Sequence, residues 1–381
     1  MRAGDRRAAV AALALGAGVT WNISNVGAVA DPLADAYGVS LAAVGLLTTA
    51  LFLTHLGSQI PGGRASDRWG ARRVGFAALA ACAAGNVIAL LAPDAWLAGA
   101  GRLVTGIGSG AGFVAGADYI RATGGSALLQ GLYGAFTMGG GGLAIAVTPQ
   151  LVGPLGWRAP YWTALAAALV TAAILAAAPR DHRAVWTRPG LVADRGLARL
   201  GLLHGATFGL SVVAANWVVP LIERHGEPRA LAAVLGALLL LAGVVTRPVG
   251  GALLRGHPER GRPEVMLALL ALGGGLLLLA LPLPPLFLGL AALLAGLAAG
   301  LPFAYVFTGA QRLRPDAPGA AIGFVNSLAI LTVVVGTPLL GLTFSLPGDG
   351  RIGFAAAAAC CGLALLAVPR SAPLQERTTT E

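Results

Sequence analysis

The sequence carries little charge and lacks lysine altogether. Asp, Glu, Lys and Arg make up only 11% of the 381 residues. All 26 basic residues are arginine, and with 16 acidic residues they give a net charge of +10. Hydrophobic residues make up 56% and the mean hydropathy is +0.77. A soluble chain of this length divides into two or three domains with interleaved polar surface, and the sequence shows none. The composition therefore predicts an all-α membrane protein.

Residues that could carry enzymatic chemistry are also few. Cys82, Cys360 and Cys361 lie inside apolar runs without metal-ligand spacing. The five histidines are scattered, and the glycine run at 139–142 lacks the flanking residues of a phosphate-binding loop. The arginines form no contiguous patch of the kind that binds nucleic acid. We expect no enzymatic activity, no cofactor, no metal site and no nucleic-acid partner.

Apolar runs separated by turn residues predict twelve membrane spans. They lie near residues 8–30, 40–61, 74–92, 96–118, 128–152, 159–178, 198–221, 229–254, 264–281, 284–308, 317–343 and 351–369. With the N-terminus inside, the predicted cytoplasmic segments contain 20 arginines and the external loops four, while Arg102 and Arg247 fall within spans. This is the positive-inside distribution. It predicts a multi-pass protein of the bacterial cytoplasmic membrane with both termini cytoplasmic.

The two halves of the sequence are related by an internal repeat. The recurring pairs, at offsets of 188 to 190 residues, are Pro32 and Pro220, Gly38 and Gly226, Gly62 and Gly250, Gly134 and Gly323, Gly110 and Gly300, and Phe113 and Phe303. Two six-helix bundles related by an axis along the membrane normal give such a repeat. We expect bundles at 1–178 and 198–370, a cytoplasmic central loop at 179–197 and a disordered cytoplasmic tail at 371–381.

Residues 59–73 form a charged turn between the second and third spans, with the pattern Gly63-x3-Asp67-Arg68-x-Gly70-x-Arg72-Arg73. The pattern resembles the signature loop of major facilitator superfamily transporters. The stretches Arg102-x3-Gly106-x-Gly108-x-Gly110 and Gly156-Trp157-Arg158 resemble further motifs of that superfamily. The resemblance implies twelve transmembrane helices in two six-helix bundles with pseudo-two-fold symmetry. The resemblance also implies a substrate cavity between the halves and transport by alternating access.

The resemblance also implies a conformational lock on the cytoplasmic side. Its expected members are Gly63, Asp67, Arg68, Gly70, Arg72, Arg73 and Asp118. Asp67 is expected to cap the positive N-terminus of a neighbouring helix, and the arginines are expected to pair with Asp118. Arg255 occupies the position that corresponds to Asp67 in the second half. We therefore expect a lock in the first half alone.

Two arginines within spans are the strongest candidates for contact with substrate, because intramembrane charges face protein or a wet cavity. Arg102 either contacts substrate or donates to carbonyls of the first or second span. Arg247 either binds an anion or anchors its loop, and Gln59 is its counterpart in the first half. An arginine pair at these places resembles the nitrate and nitrite branch of the superfamily. Here only one of the pair is present.

Further polar residues within spans complete the candidate substrate site. They are Asn22, Asn25, His55, Gln59, Tyr133, Thr137, His204, Tyr305 and Asn326. His55 and His204 either carry a coupling proton or form hydrogen bonds between helices.

The sequence contains no acidic residue deep in the first, fourth, seventh or tenth span. It thus favours an anionic or neutral solute, moved by a monomeric secondary active transporter that is coupled to protons. The alternative within transport is export of hydrophobic compounds by proton antiport, with aromatic contacts from Trp21, Tyr133, Trp217 and Tyr305. A transporter-like solute sensor is the third interpretation. The expected partners are a small molecule, protons and the lipid bilayer.

Overall fold

The computed structural model describes residues 3–181 and 194–369. All regular structure within these ranges is helical. Residues 182–193 of the predicted central loop and the whole predicted tail at 371–381 lie outside the described residues.

The first half of the chain forms eight α-helices in its described part. They are α1 (Ala3–Ser24), α2 (Ala30–Tyr37), α3 (Leu41–Trp69), α4 (Ala71–Leu90), α5 (Ala95–Ala122), α6 (Ala127–Val147), α7 (Val152–Leu155) and α8 (Ala159–Ala176). Short 3-10 turns at Gly27–Val29, Thr148–Leu151 and Gly156–Arg158 connect some of them. Each predicted span of this half falls on one helix or on two consecutive helices.

The second half forms another eight α-helices in its described part. They are α9 (Arg195–His204), α10 (Leu210–Glu223), α11 (Arg229–Gly256), α12 (Gly261–Leu279), α13 (Pro285–Gly300), α14 (Phe303–Leu313), α15 (Pro318–Leu342) and α16 (Arg351–Ala364). A π-helical turn, Gly205–Gly209, joins α9 to α10. Short 3-10 turns at Pro258–Arg260, Thr343–Ser345 and Leu365–Ala367 complete this half.

The charged stretch at 59–73 differs from the prediction, because most of it is helical. Helix α3 continues through Pro61 as far as Trp69, and Gly70 alone separates it from α4. Gly70 has φ +92°, a backbone conformation that glycine adopts without steric cost. The predicted turn was too long, because the polar residues that suggested a loop lie on the last turns of α3.

Three of the predicted spans are interrupted in the structure. Residues Arg6–Ser24 and Gly27–Tyr37 form one apolar stretch bent by 42°. Helices α13 and α14 are separated by two residues, the second of which is Pro302, and proline has no N–H for the helical ladder. The π-helical turn at Gly205–Gly209 is the third interruption. Such single turns occur frequently at functional sites.

Eight helical stretches in the described residues are long and apolar enough to cross a membrane, or up to nine if the bent pair counts as one span. The stretch Ala127–Ala176 is counted once, although it covers two predicted spans. Helix α5 is not among the eight. It carries seven glycines within its 28 residues, and most of its side chains are buried.

The chain divides into two compact units that do not follow the two sequence halves. The first unit contains Met1–Leu129, Phe136–Gly190 and Arg314–Gly323. The second contains Gln130–Ala135, Leu191–Leu313 and Phe324–Glu381. The start of α15 therefore belongs with the first-half helices, and a short piece of α6 belongs with the second-half helices.

Glycines explain how these two short segments pack. In the first unit, a Cβ on Gly63 would lie 2.7 Å from the Cα of Ala320, so α3 and α15 approach with no side chain between them. In the second unit, a Cβ on Gly131 would lie 3.1 Å from the Cα of Pro248 in α11. Close backbone approach through small residues is the usual packing mode of membrane helices.

Candidate functional site

Arg247 is a buried cation in α11 of the second unit, and its side chain is about 4% exposed. Its Nη1 donates a hydrogen bond of 2.6 Å to the carbonyl oxygen of Gly134. The guanidinium carbon lies 5.1 Å from the ring centroid of Phe208 and 4.5 Å from that of Phe303. A guanidinium over aromatic faces gains roughly 0.5–2 kcal/mol per contact. These contacts hold the charged end of Arg247 in one place.

His204 ends helix α9 in the same part of the second unit and is buried. Its Nε2 lies 3.2 Å from Oδ1 of Asn326, while Nδ1 has no hydrogen-bond partner in the described residues. The imidazole stacks on Phe208 with 5.3 Å between centroids and meets Phe303 and Phe307 edge-on. Phe208 and Phe303 therefore contact both His204 and Arg247.

A row of glycines brings His204 to Asn326. Gly201, Gly205 and Gly209 are spaced four residues apart and face α15. A Cβ on Gly205 would lie 2.7 Å from Oγ1 of Thr332. A Cβ on Gly209 would lie 2.8 Å from the Cβ of the same threonine. The helices pack closely because these positions lack side chains. Gly134 similarly leaves space for Arg247, since a Cβ there would lie 2.8 Å from the arginine Cδ.

Arg102 lies in a different environment, in the first unit. It is 1% exposed, its Nε donates to the carbonyl of Leu47 and its Nη1 donates to Oδ1 of Asn25, both at 3.4 Å. Asn25 in turn donates from Nδ2 to the carbonyl of Pro160 at 2.8 Å. These are contacts with the first and second predicted spans. They favour the structural interpretation of Arg102, although its Nη2 has no partner among the described residues.

The remaining first-half candidates form separate pairs. Nδ1 of His55 lies 2.8 Å from Oγ of Ser109. Asn22 accepts a hydrogen bond of 2.8 Å from Nδ2 of Asn86. The carbonyl of Thr137 accepts a hydrogen bond from the hydroxyl of Thr20 at 2.7 Å. Each pair joins two helices of the first unit.

Three other candidates are buried and lie outside these pairs. Both amide atoms of Gln59 lack a partner in the described residues, as does the hydroxyl of Tyr305. Tyr133 is buried, and it belongs to the α6 segment of the second unit.

The structure thus places two of the predicted site residues, Arg247 and His204, against the shared rings of Phe208 and Phe303, and Asn326 lies within hydrogen-bond distance of His204. It also joins Arg102 to Asn25. The sequence analysis missed the aromatic members of the second-unit cluster, namely Phe208, Phe303 and Phe307. The sequence could have indicated them, because His204 and Phe208 are four residues apart, as are Phe303 and Phe307. This spacing places both members of each pair on one helix face.

The expected helix cap of Asp67 is present. Its Oδ1 accepts a hydrogen bond of 2.7 Å from the backbone N–H of Gly319, and Oδ2 accepts one of 2.9 Å from Ala320. These are orphan donors at the N-terminus of α15. Asp67 is 2% exposed. A buried carboxylate is therefore neutralised partly by the positive end of a helix.

The charged residues near Asp67 have partners that the sequence did not suggest. Asp118 accepts hydrogen bonds of 2.8 Å from Oγ of Ser66 and from Nε of Arg121, three residues further along its own helix. Arg72 donates from Nε and Nη2 to the carbonyls of Leu175 and Ala176 at the end of α8.

The other two arginines of the expected lock lie near the surface. Arg68 packs over the ring of Trp69 at 5.4 Å, and Arg73 is exposed.

The described residues offer hydrogen-bonding groups and two buried cations, Arg102 in the first unit and Arg247 in the second. No group of three His, Cys, Asp or Glu side chains suited to a metal ion occurs among them. The second-unit cluster combines a buried guanidinium, that of Arg247, with an imidazole, that of His204, whose Nδ1 has no hydrogen-bond partner in the described residues.

Comparison with known proteins defines the class. The family model described as Major Facilitator Superfamily matches residues 10–337, so the chain belongs to that superfamily. Its fold is the all-α major facilitator fold, which consists of twelve transmembrane helices in two six-helix bundles. The protein is a multi-pass membrane transporter of solutes.

The chain is similar over most of its length to particular transporters. It is 25% identical over 366 residues to the cyanate transport protein CynX of Escherichia coli (strain K12), with 93% of this chain and 94% of CynX covered. The human organic anion transporter MFSD10 (TETRAN) superposes with a TM-score of 0.74 at 17% identity, covering 96% of this chain and 99% of that one. The proton:xylose symporter XylE superposes with a TM-score of 0.78 at 13% identity, covering 95% and 94%.

Proposed function

We propose that this transporter carries a small monovalent anion and binds it at the second-unit cluster of Arg247, His204 and Asn326. The observation that carries the proposal is the guanidinium of Arg247, buried in a span and fixed by the Gly134 carbonyl and two ring faces. Carbonyl and ring contacts orient a guanidinium without removing its formal charge. A fixed positive charge within a span favours a solute of opposite sign.

The similarity to CynX supports a small anion. CynX is described as a cyanate transport protein, and the similarity extends over nearly the full length of both chains. Cyanate is a linear monovalent anion with acceptor atoms at both ends, so it can bind a guanidinium and an imidazole N–H at once. We expect cyanate or an anion of similar size to be the substrate.

We propose further that His204 carries the coupling proton. An anion bound beside the imidazole favours its protonated form, because opposite charges stabilise each other. The free Nδ1 of His204 is then a donor directed at the anion, while Nε2 keeps its contact with Asn326. Anion and proton together cross with no net charge. Phe208, Phe303 and Phe307 exclude water from the group that titrates.

The proposal also includes a conformational lock at Asp67 and an orientation of the chain in the membrane. The Asp67 cap of α15 stabilises one conformational state and is released in the other during alternating access. The arginine distribution supports a bacterial cytoplasmic membrane with both termini inside. The transporter is a monomer in this proposal.

The test is uptake of labelled cyanate and nitrate into liposomes that contain the purified protein, with internal pH followed by a trapped dye. We expect anion-driven acidification in the native protein and its loss in Arg247→Ala. Arg247→Lys is expected to keep a fraction of the activity, since lysine is a point charge without the planar fork of arginine.

Arg224→Ala is the matched control, because Arg224 is a half-exposed arginine paired with Asp349 at 3.1 Å. It is expected to transport as the native protein does. Native uptake of both anions by a folded Arg247→Ala variant would overturn the anion site. A response to hydrophobic cations alone would support the export interpretation instead.

A further inference from the structure

A groove of about 540 Å³ lies on the first unit, and none of the residues of the Arg247 cluster lines it. It is lined by Arg6, Arg7 and Val10 of α1 and by Ile174 and Ala177 at the end of α8. Both arginines and Val10 are exposed. The groove thus has two cationic side chains beside an apolar floor of three residues.

The groove lies where spanning helices meet the membrane surface. Helix α1 begins at Ala3 and α8 ends at Ala176. The two helices pack together along their length, as at Gly18, where a Cβ would lie 3.1 Å from that of Thr171. Arg6 and Arg7 are therefore near the polar boundary of the first span. By the arginine distribution, this is the cytoplasmic side.

No hydrogen bond, ion pair or ring contact joins Arg6 or Arg7 to another described residue, whereas Arg72 and Arg121 at other helix ends are paired. Positive side chains in the first turns of a helix also oppose the helix dipole. An anion in the groove would meet both guanidinium groups.

We infer that this groove binds the headgroup of an anionic phospholipid. The phosphate accepts hydrogen bonds from Arg6 and Arg7, and the first part of an acyl chain lies along Val10, Ile174 and Ala177. Juxtamembrane arginines attract anionic lipids by about 1 kcal/mol each. The apolar floor favours a lipid over free phosphate, because an acyl chain gains binding free energy by packing on these residues and inorganic phosphate does not.

Native mass spectrometry of the purified, full-length protein in detergent tests the inference. Dioleoylphosphatidylglycerol is the probe and dioleoylphosphatidylcholine is the zwitterionic comparison. We expect one tightly bound phosphatidylglycerol. The double variant Arg6→Ala/Arg7→Ala should weaken it roughly 30-fold, the equivalent of about 1 kcal/mol per arginine. Ala177→Phe keeps both charges but fills the groove, and it should also weaken binding.

The double variant Arg195→Ala/Arg199→Ala is the matched control, since it removes two exposed arginines from the start of α9, the corresponding place in the second half. It should retain the lipid. Equal binding of phosphatidylcholine, an equal loss in the control, or full binding by a folded Arg6→Ala/Arg7→Ala variant would overturn the inference. Displacement of the lipid by millimolar inorganic phosphate would identify a free-anion site and overturn it as well.

Discussion

The Asp67 carboxylate accepts a 2.7 Å hydrogen bond from the backbone N–H of Gly319, although the two residues are 252 positions apart. A second bond to the N–H of Ala320 uses the other carboxylate oxygen. The signature stretch of the first half thus holds the start of α15, a second-half helix. Both carboxylate oxygens are needed for this contact.

Asp67→Asn tests this need for two acceptors. Asparagine can accept from one backbone N–H but presents its own NH₂ group to the other. We expect the cap to weaken by about 1 kcal/mol or more, as for other lost helix caps. A cysteine at the buried Ala320, in a protein whose native cysteines are replaced by alanine, should then react several times faster with a water-soluble maleimide.

Asp316→Asn is the control for Asp67→Asn, because Asp316 lies just before α15 and pairs with Arg314 at 2.7 Å. That pairing lowers the pKa of Asp316, and its loss should leave the labelling rate of the cysteine unchanged. Equal labelling rates in the native protein and in Asp67→Asn would contradict the lock.

Gly63→Ala is expected to destabilise the close crossing of α3 and α15. The new methyl group would lie 2.7 Å from the Cα of Ala320, and backbone cannot move aside as a side chain can. Overpacking of this kind costs about 1–3 kcal/mol. Thermal unfolding in detergent should show a melting temperature several degrees lower.

Gly57→Ala provides the comparison for Gly63→Ala on the same helix. Gly57 is exposed, and a Cβ there has nothing within 4 Å. Its melting temperature should be unchanged or slightly higher, since alanine is favoured over glycine in a helix by roughly 0.5–1 kcal/mol. Indistinguishable behaviour of the two variants would show that the crossing tolerates a side chain.

Arg102→Ala should reduce stability rather than substrate affinity. The substitution leaves Oδ1 of the buried Asn25 without its donor and removes an additional donor from the carbonyl of Leu47. An unsatisfied buried polar group costs about 1–3 kcal/mol. We expect a lower melting temperature, with an unchanged KM for the protein that remains folded. A variant of native stability that no longer transports would instead make Arg102 a substrate contact.

His204→Gln should uncouple transport from protons. Glutamine can keep a hydrogen bond to Asn326 but does not titrate. In the native protein, an acidic outer solution should accelerate anion uptake, because symport follows the proton gradient. The variant should keep anion exchange and lose the response to the gradient. The neighbours that face His204 are Arg247, through shared ring contacts, and Phe208, Phe303, Phe307 and Asn326.

His55→Gln is the matched variant for His204→Gln, since His55 is also buried but contacts Ser109 in the first unit. It should keep the response to the pH gradient. Gradient-driven uptake that persists in His204→Gln would exclude His204 as the proton carrier.

The sequence by itself determined the membrane class, the positions of the predicted spans and the capping role of Asp67. Long apolar runs set the spans because a membrane helix needs about 20 apolar residues. The Asp67 contact was predictable because an acceptor-only side chain in a charged motif favours a helix N-terminus.

Only the tertiary structure decided which polar residues meet. The spans are apolar on all sides, so periodicity does not fix the rotation of a helix about its axis. Glycine contacts fix it instead. Gly205 and Gly209 bring α15 close to His204, Gly134 makes room for Arg247, and Gly63 lets α15 approach Asp67. The tertiary structure also shows that α3 is helical through the charged stretch to Trp69 and that Arg102 contacts Leu47 and Asn25.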